Sequence, residues 1–242
     1  MTYCVGLRLN RGLVFMSDTR TNAGMDSISI FRKMYVWEEP GERVIVLLAA
    51  GNLATTQAVV SLLDERTKAP ADRSPSILQT PSMFQTARLV GDTVKEVIAK
   101  SSSDGQNADS FRASFVLGGQ IKGTEPRIFM VYPEGNFIEA TEDTPFFQIG
   151  ETKYGKPILV RAYEPTMSFE ETAKLLMVSF DSTLKSNLSV GLPLDFLYYE
   201  RDTFTVTHRS RITHDNPYYR QVSDGWSLAL RSAFKSLPDF QA

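Results

Sequence analysis

The sequence predicts an α+β fold in which antiparallel sheets carry layers of helices. Three observations lead there. Helical stretches arrive in blocks and not after each strand, which argues against a parallel, doubly wound sheet. Strand stretches come in pairs joined by short polar turns. No repeat, low-complexity tract or linker divides the 242 residues, so residues 1–242 are expected to form one domain, long enough to bury a sizeable core.

The elements follow in order. "TYCVGLRL" (2–9) alternates with period two around Val5, Leu7 and Leu9, as a half-buried strand does. "NRG" turns the chain, and "LVFMSD" (13–18) returns as a second strand. "TRTNAGMDS" (19–27) is polar and reads as a turn. "KMYVWE" (33–38) and "RVIVLLAA" (43–50) pair around the turn "EPGE". Asn52 is placed to cap the helix "LATTQAVVSLLDERTK" (53–68). After the Pro-rich loop "APADRSPSILQTP" (69–81), Ser82 and Gln85 have capping-box spacing at the head of a helix through Lys100. "SFVLGG", "PRIFMVY", "NFIEA" and "FFQIG" then read as strands. "KYGKPILVRAY" (153–163) and "SFEETAKLLMVSFDSTLKS" (168–186) read as helices, the second opened by a Ser168/Glu171 capping box. "LDFLYYE" (194–200) and "TFTVTHRSRI" (203–212) make a last hairpin. Pro217 suits the first turn of a closing helix over 218–237.

Composition narrows the function classes. Hydrophobic residues make up 42% and charged residues 22%, the mix of an ordinary soluble protein. Lys plus Arg is 26 against 28 for Asp plus Glu, so no global field favours nucleic acid or an anionic membrane. No apolar run approaches the ~18 residues of a spanning helix. The opening lacks the basic start, apolar run and small-residue cleavage site of a secretory signal. The single cysteine, Cys4, rules out an intrachain disulfide, and a reducing cytoplasm is expected. His208 and His214 read as surface or turn residues and make no zinc spacing with Cys4. Neither a metal nor a cofactor is expected.

A core strand that begins at the second residue points to the terminus itself, because most domains leave their first residues loose. Thr2 is small, and initiator methionine is usually trimmed ahead of a small residue. Trimming leaves Thr2 with a hydroxyl and a free α-amine. A hydroxyl needs an adjacent base to act as a nucleophile, and an α-amine, with a pKa of about 7.7–8.0, is one. Asp18 ends the second strand and Lys33 starts the third. A sheet edge that brings both beside Thr2 lets the lysine lower the pKa of the amine while the carboxylate keeps the lysine charged. Each of the two, taken alone, also reads as a solvated surface charge. In "LLAAGNLATT", Gly51 ends a strand just before a helix, where a backbone N–H can hold an anion. Cys4 has no neighbouring histidine and reads as a small buried side chain.

Together, Thr2 as start, "GLVFMSDTRTNAG", the lysine of "FRKMYVW", "LLAAGNLATT" and the order of elements resemble the proteasome-type N-terminal-nucleophile hydrolases. The likeness covers nearly the whole chain and is closest to the bacterial Anbu family. It implies a four-layer αββα sandwich with two antiparallel sheets between helix layers. It makes Thr2 the nucleophile, Asp18 and Lys33 its acidic and basic partners, and Gly51 the oxyanion donor. Thr21 and Asn22 match the segment that pairs with a bound peptide backbone, and Ala49 lines the first specificity pocket. The match at Lys33 needs a loop one residue shorter than the usual pattern, and Arg32 is the basic rival. Two positions depart from the family. In "QIGETKYG", Glu151 stands where the pattern has a serine. In "SNLSVG", Ser186 takes the place of an aspartate, while Ser189 matches the pattern's serine. Two functions follow from the resemblance. One is a threonine peptidase or amidohydrolase acting on a peptide or amide. The other is a structural or assembly subunit that kept the fold and lost the activity. Either implies self-association into a ring or open spiral, stacked in two layers, with no nucleic acid or membrane partner.

Overall fold

A computed structural model describes residues 1–22, 28–68, 75–102 and 107–241. Parts of the expected turn 19–27 and of the Pro-rich loop 69–81 lie outside them. Twelve strands and five α-helices are present among the described residues. In chain order they are β1 (Tyr3–Leu9), β2 (Gly12–Asp18), β3 (Arg20–Asn22), β4 (Ile28–Ile30), β5 (Met34–Glu39) and β6 (Arg43–Gly51), then α1 (Leu53–Lys68) and α2 (Met83–Ser101). The second half holds β7 (Ala113–Ile121), β8 (Arg127–Val131), β9 (Phe137–Glu139), β10 (Phe146–Gly150), α3 (Lys156–Ala162), α4 (Phe169–Ser186), β11 (Leu194–Glu200), β12 (His208–Ile212) and α5 (Pro217–Lys235).

Two five-stranded antiparallel sheets form the centre, one ordered β10-β1-β2-β11-β12 and the other β5-β6-β7-β8-β9. The period of two sorts their side chains into three apolar layers. Tyr3, Val5 and Leu7 of β1 point to α4 and meet Leu176 and Phe180. Cys4 and its neighbours Leu13, Phe15 and Leu197 point the other way, onto Val46, Leu48 and Val116 of the second sheet. The outer face of that sheet, through Ile45, Leu47, Phe115 and Phe129, packs on Val59, Val90 and Val94 of α1 and α2. The result is the predicted sandwich of helices, sheet, sheet and helices.

The capping signals act as read. Asn52 Oδ1 accepts the Thr55 N–H at 3.0 Å, and Ser168 with Glu171 closes a full capping box at α4. Ser82 accepts from the Gln85 backbone N–H.

Three expectations are corrected. The first strand is not half-buried: β1 and β2 are covered on both faces, one by helices and one by the second sheet, so only Arg8 among their residues is less than fully buried. The polar segment after Asp18 contains β3, which pairs with β4. These three-residue strands are too short to show periodicity, and they leave Lys33 just ahead of the fifth strand, not at the start of the third. The last hairpin begins late: Asp202 and Phe204 have φ of 64° and 49°, so the chain turns through Thr203–Thr207 before β12.

Candidate active site

β1 runs antiparallel to both of its neighbours, so its beginning lies beside their last residues: Tyr3 pairs with Gly150, and Cys4 with Ser17. Thr2 therefore stands just ahead of an interior strand, between the ends of β10 and β2. The Thr2 carbonyl accepts the Glu151 N–H at 2.6 Å. Gly150 makes this approach possible, with φ of +83° and room for no Cβ, which would lie 2.1 Å from the Thr2 oxygen.

Asp18, fully buried, accepts the Tyr3 N–H at 3.0 Å. The same oxygen accepts Lys33 Nζ at 2.8 Å, while its partner oxygen takes the Gly191 N–H at 3.4 Å. Lys33, only 5% exposed, also donates to the Arg20 carbonyl at 2.5 Å. Lys33, not Arg32, is thus the ion-pair partner. Burial pushes the Asp18 carboxyl up from the usual carboxylate range; the Lys33 ammonium and the two backbone donors pull it back. The free amine of this chain is on Met1, one residue ahead of Thr2. Burial lowers its pKa, the Lys33 ammonium lowers it further, and Asp18 opposes both.

The second sheet supplies the facing wall. The Ala49 N–H donates to the Lys33 carbonyl at 2.9 Å, and the Asn52 N–H to the Arg112 carbonyl on the β7 side at 2.9 Å. Backbone N–H groups two residues apart on a strand point the same way. The Gly51 N–H therefore faces the Lys33 side, past the point where β5 begins. Gly51 has φ of +116°, and a Cβ there would stand 2.4 Å from the Arg112 carbonyl oxygen.

Thr2, Lys33, Ala49, Gly51 and Thr21 line one cavity of about 370 Å3, together with Met1, Arg32, Leu53, Thr56 and Gly150. Asp18 lies behind Lys33. Asn22 sits on β3 next to Thr21, with its backbone paired to Ile28. A larger cavity of about 720 Å3, between β10 and α3, does not include Thr2.

The two departing positions separate in space. Ser186 is exposed at the end of α4 and donates back to the Ser182 carbonyl. It takes no part in the site, because the last helical turn captures its hydroxyl. Glu151 is buried, and its carboxylate accepts the Lys153 N–H and the Asn187 amide, each at 2.9 Å. Asn187 also holds the Ser189 N–H through Oδ1 at 3.0 Å, and its Nδ2 reaches the Met1 sulfur at 4.0 Å. Ser189 lies in this turn and not among the residues lining the Thr2 cavity.

Sequence reasoning missed Asn187, which stands one place after Ser186 and bonds both the Glu151 carboxylate and the Ser189 N–H. It also missed the second layer under Tyr3, where Gln148 donates to the Tyr3 hydroxyl and Ser179 bonds it, each at 2.7 Å. Cys4 is fully buried, burial pushes its thiol up, and it takes no part in the cavity.

The chain matches the proteasome subunit family over residues 2–191. No curated protein matches it. Among solved structures it is similar to the Gly-1 mutant of Anbu from Hyphomicrobium sp. strain MC1, at 54% identity over 100% of both chains with a TM-score of 0.93. It is 48% identical to Anbu (ancestral beta-subunit) from Yersinia bercovieri over 99% of this chain and 100% of that one, with a TM-score of 0.93. It is 44% identical to the chain in the helical assembly of the Anbu complex from Pseudomonas aeruginosa, over 99% and 98% of the two chains, with a TM-score of 0.92.

Proposed function

The chain belongs to the proteasome subunit family, in its Anbu group, and from that premise we propose that it hydrolyses amide bonds with an N-terminal threonine. Removal of Met1 exposes the Thr2 amine. The neutral amine takes the proton of Thr2 Oγ1 as that oxygen attacks the carbonyl carbon of the substrate. The Gly51 N–H holds the oxyanion. The amine then passes its proton to the departing nitrogen, leaving an ester on Thr2. Water, activated by the same amine, cleaves that ester and restores the hydroxyl. Thr21 and Asn22 offer strand β3 to the substrate backbone, and Ala49 borders the side-chain pocket.

The observation that carries this reading is the buried Lys33–Asp18 pair set under the chain start. It puts a fixed positive charge beside the amine, which favours the neutral, proton-accepting form. The test has two parts. The intact mass of protein from its native host should lack Met1, and Thr2→Ala should abolish amide hydrolysis while the melting curve stays that of the wild type. Retained Met1, or wild-type turnover by the Thr2→Ala protein, would overturn the mechanism.

The reading includes self-association, which the helical assembly of the Pseudomonas aeruginosa relative supports, and extends it to a ring or open spiral stacked in two layers. It also includes a cytoplasmic setting, supported by the lone unpaired cysteine. Among the described residues no helix is long and apolar enough to cross a membrane. A second reading, an assembly subunit without activity, draws on one observation: the cage around the chain start is built from Glu151 and Asn187 and not from hydroxyls. Absence of any turnover in a Met1-free, assembled sample would decide for it.

A further inference from the structure

Two cations line the cavity of about 370 Å3 in front of Thr2, and they differ in what holds them. Lys33 is buried and tied to Asp18 at 2.8 Å and to the Arg20 carbonyl at 2.5 Å. Arg32 is exposed, and among the described residues its guanidinium has neither a hydrogen bond nor an ion pair. Its backbone is held all the same. The Tyr35 hydroxyl donates to the Arg32 carbonyl at 2.8 Å. On either side, the Phe31 N–H donates to the Thr19 carbonyl and the Ala49 N–H to the Lys33 carbonyl, each at 2.9 Å. A fixed Cα thus carries a charge that no described residue neutralises.

The rest of the lining is neutral and mostly small. It includes Thr21, Ala49, Ala50, Leu53 and Thr56, and among the described residues no acidic side chain. Helix α1, which supplies Leu53 and Thr56, has no acidic residue in its first turn. The buried carboxylates around the chain start are engaged elsewhere. Asp18 is turned to Lys33, and Glu151 accepts the Lys153 N–H and the Asn187 amide. No described group that lines this space accepts a positive charge.

An arginine stays charged at any working pH and presents its N–H donors in a planar fork, which a carboxylate meets with two parallel hydrogen bonds. A recess lined by one sign of charge gathers ligands of the other sign. Ala49 and Ala50 are small enough to leave room for an entering side chain. A glutamate or aspartate there brings its carboxylate into the space that Arg32 borders. A lysine or arginine there meets Arg32 and Lys33 as like charges, an arrangement that interfaces avoid.

We propose that Arg32 sets the specificity of this site, and that its substrates are peptides with a glutamate or aspartate on the acyl side of the cleaved bond. This rests on the hydrolytic reading above and names its substrate class. The first test gives the Met1-free enzyme peptidyl coumarylamides that carry Glu, Gln or Lys at that position. Gln matches Glu in shape and lacks only the charge. Glu should exceed Gln about 10-fold in kcat/KM, the lower end of what a hydrogen bond to a charged group supplies, because Arg32 is also solvated. The ratio should fall to about 1 in Arg32→Gln, invert toward Lys in Arg32→Glu, and weaken with added salt in the wild type. The second test needs no turnover: fluorescence anisotropy of labelled peptide amides ending in Glu or Gln on the Thr2→Ala protein, with and without Arg32→Gln, each variant first checked for a wild-type melting curve. Glu should bind about 10-fold more tightly, and only while Arg32 is present. Equal kcat/KM or equal affinity for Glu and Gln, or a Glu preference that survives Arg32→Gln, overturns the role of Arg32. Arg32-dependent binding of the Glu peptide without turnover of any peptide overturns the hydrolysis and leaves the recognition standing. Neither binding nor turnover overturns both.

Discussion

Replacing Lys33 with methionine tests the centre of the site, because it keeps the volume and removes the charge. Lys33 and Asp18 are 2.8 Å apart with side chains 6% and 0% exposed. At an effective dielectric of about 20, a pair at that distance attracts by about 6 kcal/mol. Part of this is recovered in the variant, since Asp18 keeps the N–H donors of Tyr3 and Gly191. Breaking one side of a buried pair costs about 3–5 kcal/mol in practice, and that is the expected loss at pH 7 to 8. The pH dependence identifies the cause. The folded-state pKa of Asp18 is already raised by burial, and losing Lys33 raises it further. A group raised in the folded state contributes stability that is present below its unfolded pKa and lost as pH rises through its folded pKa. The variant's deficit should therefore be full at neutral pH and shrink in acid, where Asp18 takes up its proton. Urea unfolding of both proteins from pH 4 to 8 measures this. The double variant Lys33→Met/Asp18→Asn should recover most of the loss at neutral pH while remaining inactive. A deficit that does not change with pH would refute the argument, and would mean that packing, not the unpaired carboxylate, sets the cost.

Two further outcomes are expected. Gly51→Ala should cost on the order of 1–3 kcal/mol in thermal unfolding, because its φ of +116° disfavours a side chain and its Cβ would meet the Arg112 carbonyl; it should also cut amide hydrolysis about 100- to 1,000-fold by displacing the oxyanion donor, and wild-type values of both would remove Gly51 from the site. Glu151→Ser should move the acid limb of the pH–rate profile of the Met1-free enzyme to lower pH, since removing a carboxylate near the chain start lowers the pKa of the amine; an unmoved limb would assign Glu151 to holding Asn187 alone.

The sandwich was legible because its signals are local. Alternation in β1 marks which side chains face helices and which face the other sheet, and capping residues mark the helix starts. The juxtaposition of Thr2, Asp18, Lys33 and Gly51 was legible because each lies at or next to the end of an element, and element ends are what antiparallel pairing brings together. Asn187 was not legible. Its amide works through a contact 36 residues away in sequence with Glu151, and nothing in "SNLSVG" says which polar side chain turns inward. Ser186 stays out of the site for a related reason. A serine in the last turn of a helix bonds to the carbonyl four residues back, and that local partner wins over a distant one. The short β3–β4 ladder lacks the length that periodicity needs.

The position of the chain start follows from the sheet order. An edge strand begins beside one neighbour; β1 begins between two, and both run toward it. Their last residues, Gly150 and Asp18, then border the first residues of the chain. The second sheet repeats the arrangement, with Lys33 entering β5 where β6 runs out to Gly51. Asp18, Lys33 and Gly51 thus each lie at a strand end or one residue from it, held by ladders that need no loop to order them. That geometry fixes the surroundings of Thr2 before anything enters the cavity. It also makes the site sensitive to a single extra residue: with Met1 in place the amine stands one residue further along the cavity wall, and the Thr2 nitrogen is an amide that cannot accept a proton. Loss of Met1 is therefore the step on which the proposed chemistry turns, and a sample carrying it should be folded, assembled and inert.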